Sequence, residues 1–70
     1  MSVYVNGGNP GNFLPSYTVA LLPVAPLDGT LAYASNGRKS GEGPGVGTGV
    51  TVYYSNAAWR DVSNDSVVAA

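Results

Sequence analysis

Apolar residues are gathered in five short runs, separated by stretches rich in Gly, Pro, Asn and Ser. The runs cover residues 17–22, 30–35, 50–54, 57–62 and 66–69. Apolar, β-branched or aromatic side chains at every second position are typical of β-strands. No long window has the three-and-four spacing of an amphipathic helix, because Pro or Gly interrupts each candidate. The pattern predicts an all-β fold, a small antiparallel meander of hairpins.

The alternation within two of the runs predicts which side chains share a face. An extended chain over residues 17–22 places Tyr17, Val19 and Leu21 on one face. In the same way, Leu31 and Tyr33 share a face of the run at residues 30–35. We therefore expect these side chains to pack together, in the core or at a subunit interface.

Two polar, Gly-rich segments divide the chain. Residues 1–15 are predicted to be an extended N-terminal arm, and residues 16–70 a small β module. Within the module, a long loop at residues 36–49 holds most of the ten glycines, and Gly43, Gly45, Gly47 and Gly49 stand at alternate positions. Alternate glycines allow another backbone to approach closely. We expect Gly45 and Gly47 to lie against a neighbouring subunit.

A chain of 70 residues buries little apolar surface and usually needs an additional source of stability. This chain has neither Cys nor His, so disulfides and the common zinc ligands are unavailable. An antiparallel meander also leaves two edges and one face uncovered. The sequence therefore predicts a homo-oligomer.

Charge is scarce and nearly balanced. Three basic and four acidic residues give a net charge of -1, and charged residues make up 10% of the chain. We do not expect nucleic acid as a partner, because the chain has no basic surface that would attract phosphate. The longest apolar stretch, residues 19–27, is interrupted by two prolines, so no membrane span or signal peptide is predicted.

Few residues could carry chemistry. Without His or Cys, the common general base and the best nucleophile are missing. The remaining acids are Asp28, Glu42, Asp61 and Asp65, and their turn and loop surroundings favour structural roles. The loop at residues 36–49 lacks the glycine spacing of a phosphate-binding loop. The sequence predicts no enzyme activity, no cofactor and no metal site.

The aromatic residues allow two interpretations. Trp59 and the tyrosines could form a platform on which sugars stack, or they could fill a small core or a subunit interface. We favour the second interpretation, because so short a chain has few other bulky residues to bury. The candidate interface residues are Tyr17, Val19, Leu21, Tyr33, Gly45, Gly47, Tyr53 and Trp59.

Several short motifs carry a resemblance to a known family. They are Tyr17-Thr18-Val19, Leu22-Pro23, Gly29, Leu31-Ala32-Tyr33-Ala34-Ser35-Asn36-Gly37, Gly47-Thr48-Gly49-Val50, Tyr53-Tyr54, Trp59-Arg60 and Val67-Val68-Ala69. Together they resemble a short module of tailed-bacteriophage and prophage structural proteins. That module often forms the C-terminal part of tail fibres, and it also occurs as a small separate reading frame.

The resemblance implies a β-rich virion component that forms a trimer and has no enzymatic activity. It implies other virion proteins as partners, such as the major capsid protein, and assembly in the cytoplasm of the bacterial host. Here the module starts close to Met1 without a fibre shaft. We therefore expect a capsid decoration or cement protein, or a head spike. The alternative is an adhesion module of a tail fibre or spike that contacts host-surface glycans.

Overall fold

One four-stranded sheet organises the computed structural model, which describes residues 13–70. The strands lie in the order β1-β2-β3-β4, where β1 pairs with β2 in parallel and the other pairs are antiparallel. Their bounds are Ser16–Tyr17 for β1, Leu31–Ala34 for β2, Val50–Ser55 for β3 and Ala58–Asp61 for β4. One three-residue 3₁₀ turn, Val19–Leu21, is the helical content of the described chain. The predicted all-β character is confirmed, and β2 to β4 form the expected meander.

The strand predicted at residues 17–22 is wrong beyond Tyr17. The backbone N–H of Val19 donates to the side-chain oxygen of Asn36 (2.8 Å), and Leu21 N–H donates to Thr18 C=O (3.0 Å). These bonds turn the chain away from the sheet into the 3₁₀ turn. Consequently Tyr17, Val19 and Leu21 do not share a strand face, and the side chain of Leu21 is 71% exposed.

A crossover, residues 18–30, joins β1 to β2 and makes this pair parallel. Parallel neighbours require a connection of about a dozen residues or more, and a meander of hairpins has none. The predicted meander is therefore incomplete at β1. Of the predicted arm, residues 1–12 lie outside the described residues, and Phe13 leads the chain into β1.

The core lies on one face of the sheet. The register pairs Ala32 with Val52 and Ala34 with Val50, and all four side chains are buried. Trp59 reaches the same face from β4, where its ring packs edge-on against Tyr54 at a centroid distance of 5.5 Å. Small alanines on β2 leave room above the sheet for this indole and for the covering chain.

Two segments cover this face. The crossover contributes Val19 and Leu22, and the carbonyl of Pro23 accepts a hydrogen bond from Trp59 Nε1 at 2.8 Å. The C-terminal segment contributes Val68, whose N–H donates to Trp59 C=O at 3.0 Å. The last apolar run, residues 66–69, thus pairs along the edge of β4 through this bond and through an antiparallel bridge between Arg60 and Val67. Among residues 13–70, no helix has the length and apolarity that crossing a bilayer demands.

Candidate functional site

No strand or helix of residues 13–70 packs on the second face of the sheet, and we call it the open face. Its residues follow from the register, which pairs Leu31 with Tyr53, Tyr33 with Thr51, and Tyr53 with Arg60. Leu31 is 47% exposed, and the other four side chains are partly buried. The open face is therefore an apolar and aromatic surface with one basic side chain.

A groove runs along the β1 side of the open face. It encloses about 510 Å³ and is lined by Phe13, Leu14, Ser16, Tyr33 and Thr51. None of these side chains is charged, and Phe13 is 80% exposed. We call this feature the Phe13 groove. An uncharged groove with an exposed phenyl ring suits an apolar partner, since no charge must lose its water on binding.

The absence of a side chain at Gly49 allows the Tyr33 ring to occupy its position on the open face. The glycine has a backbone φ of +106°, and a Cβ atom there would lie 2.6 Å from Cζ of the Tyr33 ring. The missing side chain thus lets the ring lie directly over the chain before β3. The Tyr33 hydroxyl also donates to Thr48 C=O at 3.4 Å. Tyr33 is consequently a fixed wall of the groove.

The opposite end of the open face is polar. The Tyr53 hydroxyl donates to Asp65 Oδ1, and this bond, together with partial loss of solvent, raises the pKa of Tyr53 above its ordinary value of 10.0. Arg60 donates to the carbonyls of Ser55 (2.9 Å) and Asp65 (3.2 Å). These bonds hold the β3–β4 hairpin against the turn that follows β4.

The Gly-rich loop is ordered by one carboxylate. Glu42 Oε1 accepts hydrogen bonds from the backbone N–H groups of Lys39 (2.7 Å) and Thr48 (3.1 Å), and Oε2 accepts from the Thr48 hydroxyl (2.6 Å). The Lys39 ammonium donates to Thr48 Oγ1 and to Gly49 C=O. The Thr48 hydroxyl bond, followed by the Lys39 bond, lowers the pKa of Glu42 from its ordinary value of 4.5.

Acid is expected to loosen this loop. A carboxyl group whose pKa is lowered by folding stabilises the fold above its ordinary pKa, and this contribution is lost as the pH falls through the lowered value. The protection of the Thr48 amide against hydrogen exchange should therefore fall below pH 4.5. In Glu42→Ala it should already be low at neutral pH, because no side-chain oxygen remains to accept the Thr48 N–H.

Asp28→Ala is the matched control, since it removes an exposed carboxylate from another turn. It should leave Thr48 protection unchanged at every pH. Equal Thr48 protection in Glu42→Ala and the parent chain at neutral pH would contradict the role assigned to Glu42.

The two glycines predicted to contact a neighbour differ in their surroundings. A Cβ on Gly47 would lie 2.7 Å from the carbonyl carbon and oxygen of Gly37, and closer still to the carbonyl oxygen of Asn36. The close backbone approach expected at Gly47 is thus made by the same chain. Gly45 has a φ of +76° and open space around it, so its glycine serves the turn conformation.

The structure divides the other predicted interface residues into three groups. Tyr33 and Tyr53 lie together on the open face. Tyr17, Val19 and Trp59 belong to the core, and Trp59 is only 8% exposed. Leu21 lies exposed on the crossover, outside both groups. The interpretation of Tyr33 as a core-filling side chain is wrong, because β2 directs Ala32 and Ala34, and not Tyr33, towards the core.

Sequence analysis missed several residues of the open face. Phe13 and Leu14 lie within the predicted arm, residues 1–15, although two adjacent apolar residues beside a strand are a usable signal. Leu31 and Thr51 can be placed on the open face only from the strand register, which pairs the tyrosine of β2 with the threonine of β3.

Three of the four acids have local structural partners. Asp61, which is buried, accepts hydrogen bonds at Oδ1 from the N–H (2.9 Å) and hydroxyl (2.8 Å) of Ser63. Asp65 holds Tyr53, and Glu42 holds the loop. Asp28 is exposed in a turn. Within residues 13–70, no three acidic side chains are grouped so that they could hold a metal ion.

Apolar exposure extends beyond the open face. The large apolar side chains that are exposed to solvent are Phe13, Leu14, Leu21, Val24, Leu27, Leu31, Val46, Val62 and Val67. Large exposed apolar surface commonly marks a protein interaction site. Comparison of the chain with models of protein families, with curated proteins and with solved structures finds no match in any of the three.

Proposed function

We propose that this chain is a non-enzymatic structural protein of a bacteriophage virion, namely a capsid decoration or cement protein or a head spike. It stabilises the particle through contacts between subunits. The observation that carries the proposal is the Phe13 groove of the open face, an uncharged apolar surface that residues 13–70 leave uncovered on a chain of very low charge. The virion as its location comes from the resemblance of the motifs between Tyr17 and Ala70.

The exposed apolar side chains of the open face supply free energy for binding a partner. Complete burial of a Leu or Phe side chain contributes about 1.5–3 kcal/mol. Phe13 and Leu31 alone are 80% and 47% exposed, so a partner that covers the open face gains much of that energy. A protein that binds only the assembled shell shifts the equilibrium towards assembly by mass action. Binding through the open face is therefore sufficient for a cement function without any catalytic group.

The proposed partners are copies of this chain and other virion proteins such as the major capsid protein. Three-fold symmetry is the order that the resemblance implies, with assembly in the bacterial host cytoplasm. Low charge supports contacts of both kinds, because few charges would repel a second copy or lose water at an interface.

The position of Trp59 argues against the adhesion alternative. A sugar-stacking platform requires an exposed aromatic face, and Trp59 is buried with its Nε1 donating to Pro23. Tyr33 and Tyr53 remain at the surface, but both hydroxyls already donate within the chain. No observation favours glycan binding over protein binding at the open face.

The test uses particles assembled with Leu31→Lys, which places a charge on the open face. Loss of the leucine contact should lower the number of copies bound per particle at least tenfold at limiting concentration, because about 1.4 kcal/mol corresponds to a tenfold change in affinity. Resistance of these particles to heat and low salt should fall in parallel.

Val24→Lys is the matched control. Val24 is 94% exposed on the crossover, which covers the core face and not the open face. Its particles should retain normal copy number and resistance. Unchanged copy number and resistance in Leu31→Lys particles would reject the open face as the binding surface, and unchanged resistance in particles lacking the protein would reject the cement function.

A further inference from the structure

The outer edge of β1 offers backbone hydrogen-bonding groups. The carbonyls of Pro15 and Tyr17 accept bonds from Tyr33 N–H (2.9 Å) and Ser35 N–H (2.8 Å), so these two residues direct their backbone towards β2. Because direction alternates along an extended chain, Ser16, which lies between them, directs its N–H and C=O away from the sheet. No strand of residues 13–70 lies beyond β1. Ser16 thus lies on an edge of the sheet that no described strand pairs with, and we call this edge of β1 the free edge.

Pro15 does not block this edge. Prolines commonly protect edge strands because they have no N–H to offer an incoming strand. Here the carbonyl of Pro15 is bonded to β2, so its nitrogen also belongs to the β2 side of the chain. By the same alternation, Leu14 shares the outward direction of Ser16. The free edge therefore keeps both of its donor positions.

The free edge and the Phe13 groove are adjacent. Leu14 and Ser16 belong to the edge and also line the groove, together with Tyr33 and Thr51 of the open face. An incoming strand that pairs with the edge would place every second side chain over the groove. The site accordingly fits an extended segment with uncharged apolar side chains at alternate positions.

The chain itself contains such a segment outside the described residues. Twelve residues precede Phe13, and their single β-type run is Val3-Tyr4-Val5, in which the two valines alternate with a tyrosine. The seven residues 6–12 that follow include three glycines and one proline. Seven extended residues span up to about 25 Å. The four-stranded sheet is about 19 Å wide, so this length is enough to reach an adjacent copy.

Contact area favours a segment from another copy. The open face measures about 19 Å by 20 Å, or roughly 380 Å² in projection. A stable interface buries about 800 Å² on each partner. Face contacts alone supply less than half of this, and a segment exchanged between copies supplies further area from the same chain.

We propose that Val3-Tyr4-Val5 of one copy adds as a strand to the free edge of β1 in a neighbouring copy, with its valines in that copy's Phe13 groove. The contact is head-to-tail, because the segment and the groove are different surfaces of the chain, and it closes into a ring when the rotation allows. The inference rests on the proposed function in requiring neighbouring copies.

The first experiment measures the oligomeric state of the full chain by sedimentation over a dilution series. The double variant Val3→Lys/Val5→Lys should dissociate at concentrations about a hundredfold higher than the parent chain, since two buried valines are lost. Ser2→Lys/Asn6→Lys carries the same added charge just outside the run and should behave like the parent. Equal dissociation of the valine variant and the parent would overturn the proposal.

The second experiment locates the segment. Because the chain has no cysteine, Val5→Cys and Ser16→Cys can be placed on separate chains, mixed and oxidised. In the proposed pairing both side chains face the groove, so a cross-link between the two chains is expected, and none between Val5→Cys and Val24→Cys. A disulfide formed within a single chain that carries both Val5→Cys and Ser16→Cys, in a monomer, would show docking on the same copy and overturn the exchange.

The two proposals fail separately. An oligomer that survives the valine substitutions removes the exchanged segment but leaves the open face and the particle experiment intact. Particles that do not depend on this protein remove the cement function even where the segment cross-links two copies.

Discussion

Replacing Gly47 with alanine is expected to lower the free energy of unfolding by about 3 kcal/mol. The new Cβ would lie 2.7 Å from the carbonyl carbon and oxygen of Gly37, and still closer to the carbonyl oxygen of Asn36. These are backbone atoms, so no side-chain rotation relieves the overlap. The strain falls on the turn whose Asn36 side chain accepts from Val19 N–H, which links the Gly-rich loop to the 3₁₀ turn over the core.

The measurement is urea unfolding of the purified chain, followed by tyrosine and tryptophan fluorescence. Gly43→Ala is the matched control in the same loop, because its Cβ would meet only Cγ2 of Val46 at an ordinary 3.7 Å. We expect its stability to change by less than about 0.5 kcal/mol. If Gly47→Ala unfolded like the parent chain but failed to assemble, the partner of Gly47 would be a second copy, as the spacing of glycines first indicated.

Local sequence pattern was sufficient for the strands that pair with sequence neighbours. β3 and β4 are joined by a two-residue turn at Asn56 and Ala57, and five of the six residues of β3 are β-branched or aromatic. The last apolar run, residues 66–69, likewise pairs with β4, its neighbour in the sequence. In each case the deciding contacts lie within a few residues, where propensity and alternation act together.

Local sequence pattern is not sufficient where a group distant in the sequence determines the backbone conformation or the buried face. Residues 17–22 have strand composition, but the side chain of Asn36, seventeen positions beyond Val19, accepts the Val19 N–H and turns the chain into a 3₁₀ turn. On β2 the more apolar pair, Leu31 and Tyr33, faces outward. Ala32 and Ala34 face the core instead, because the space above them holds the covering chain and the indole of β4.

The candidate site could be predicted only in part for a related reason. Their bulk makes Tyr33 and Tyr53 interface candidates, and the register places them together on the open face. The spacing of glycines correctly indicated a close backbone approach at Gly47, yet spacing carries no information on which backbone approaches. Phe13 gained its significance only from the groove that the sheet forms beside it.

Trp59→Ala is expected to lower the free energy of unfolding by about 3–5 kcal/mol, the usual effect of removing a buried tryptophan. The substitution removes the largest core side chain, its edge-on contact with Tyr54 and the Nε1 bond to the Pro23 carbonyl. A domain of this length has a total stability of only about 3.5–10 kcal/mol. The variant should therefore be largely unfolded or strongly dependent on its oligomeric partners.

Trp59→Phe separates packing from hydrogen bonding, because it keeps an aromatic ring but leaves the Pro23 carbonyl without its donor. Its cost should be clearly smaller than that of Trp59→Ala, and Leu27→Ala, at a side chain 85% exposed, should change stability by less than about 0.5 kcal/mol. Thermal unfolding followed by near-ultraviolet circular dichroism ranks the three variants. A Trp59→Ala chain as stable as the Leu27→Ala chain would contradict the core position of the indole. The ranking also decides how a binding assay must be designed. A Trp59 variant that loses binding has lost its fold. The open face therefore has to be tested through Leu31, whose exposed side chain can be changed while the core stays intact.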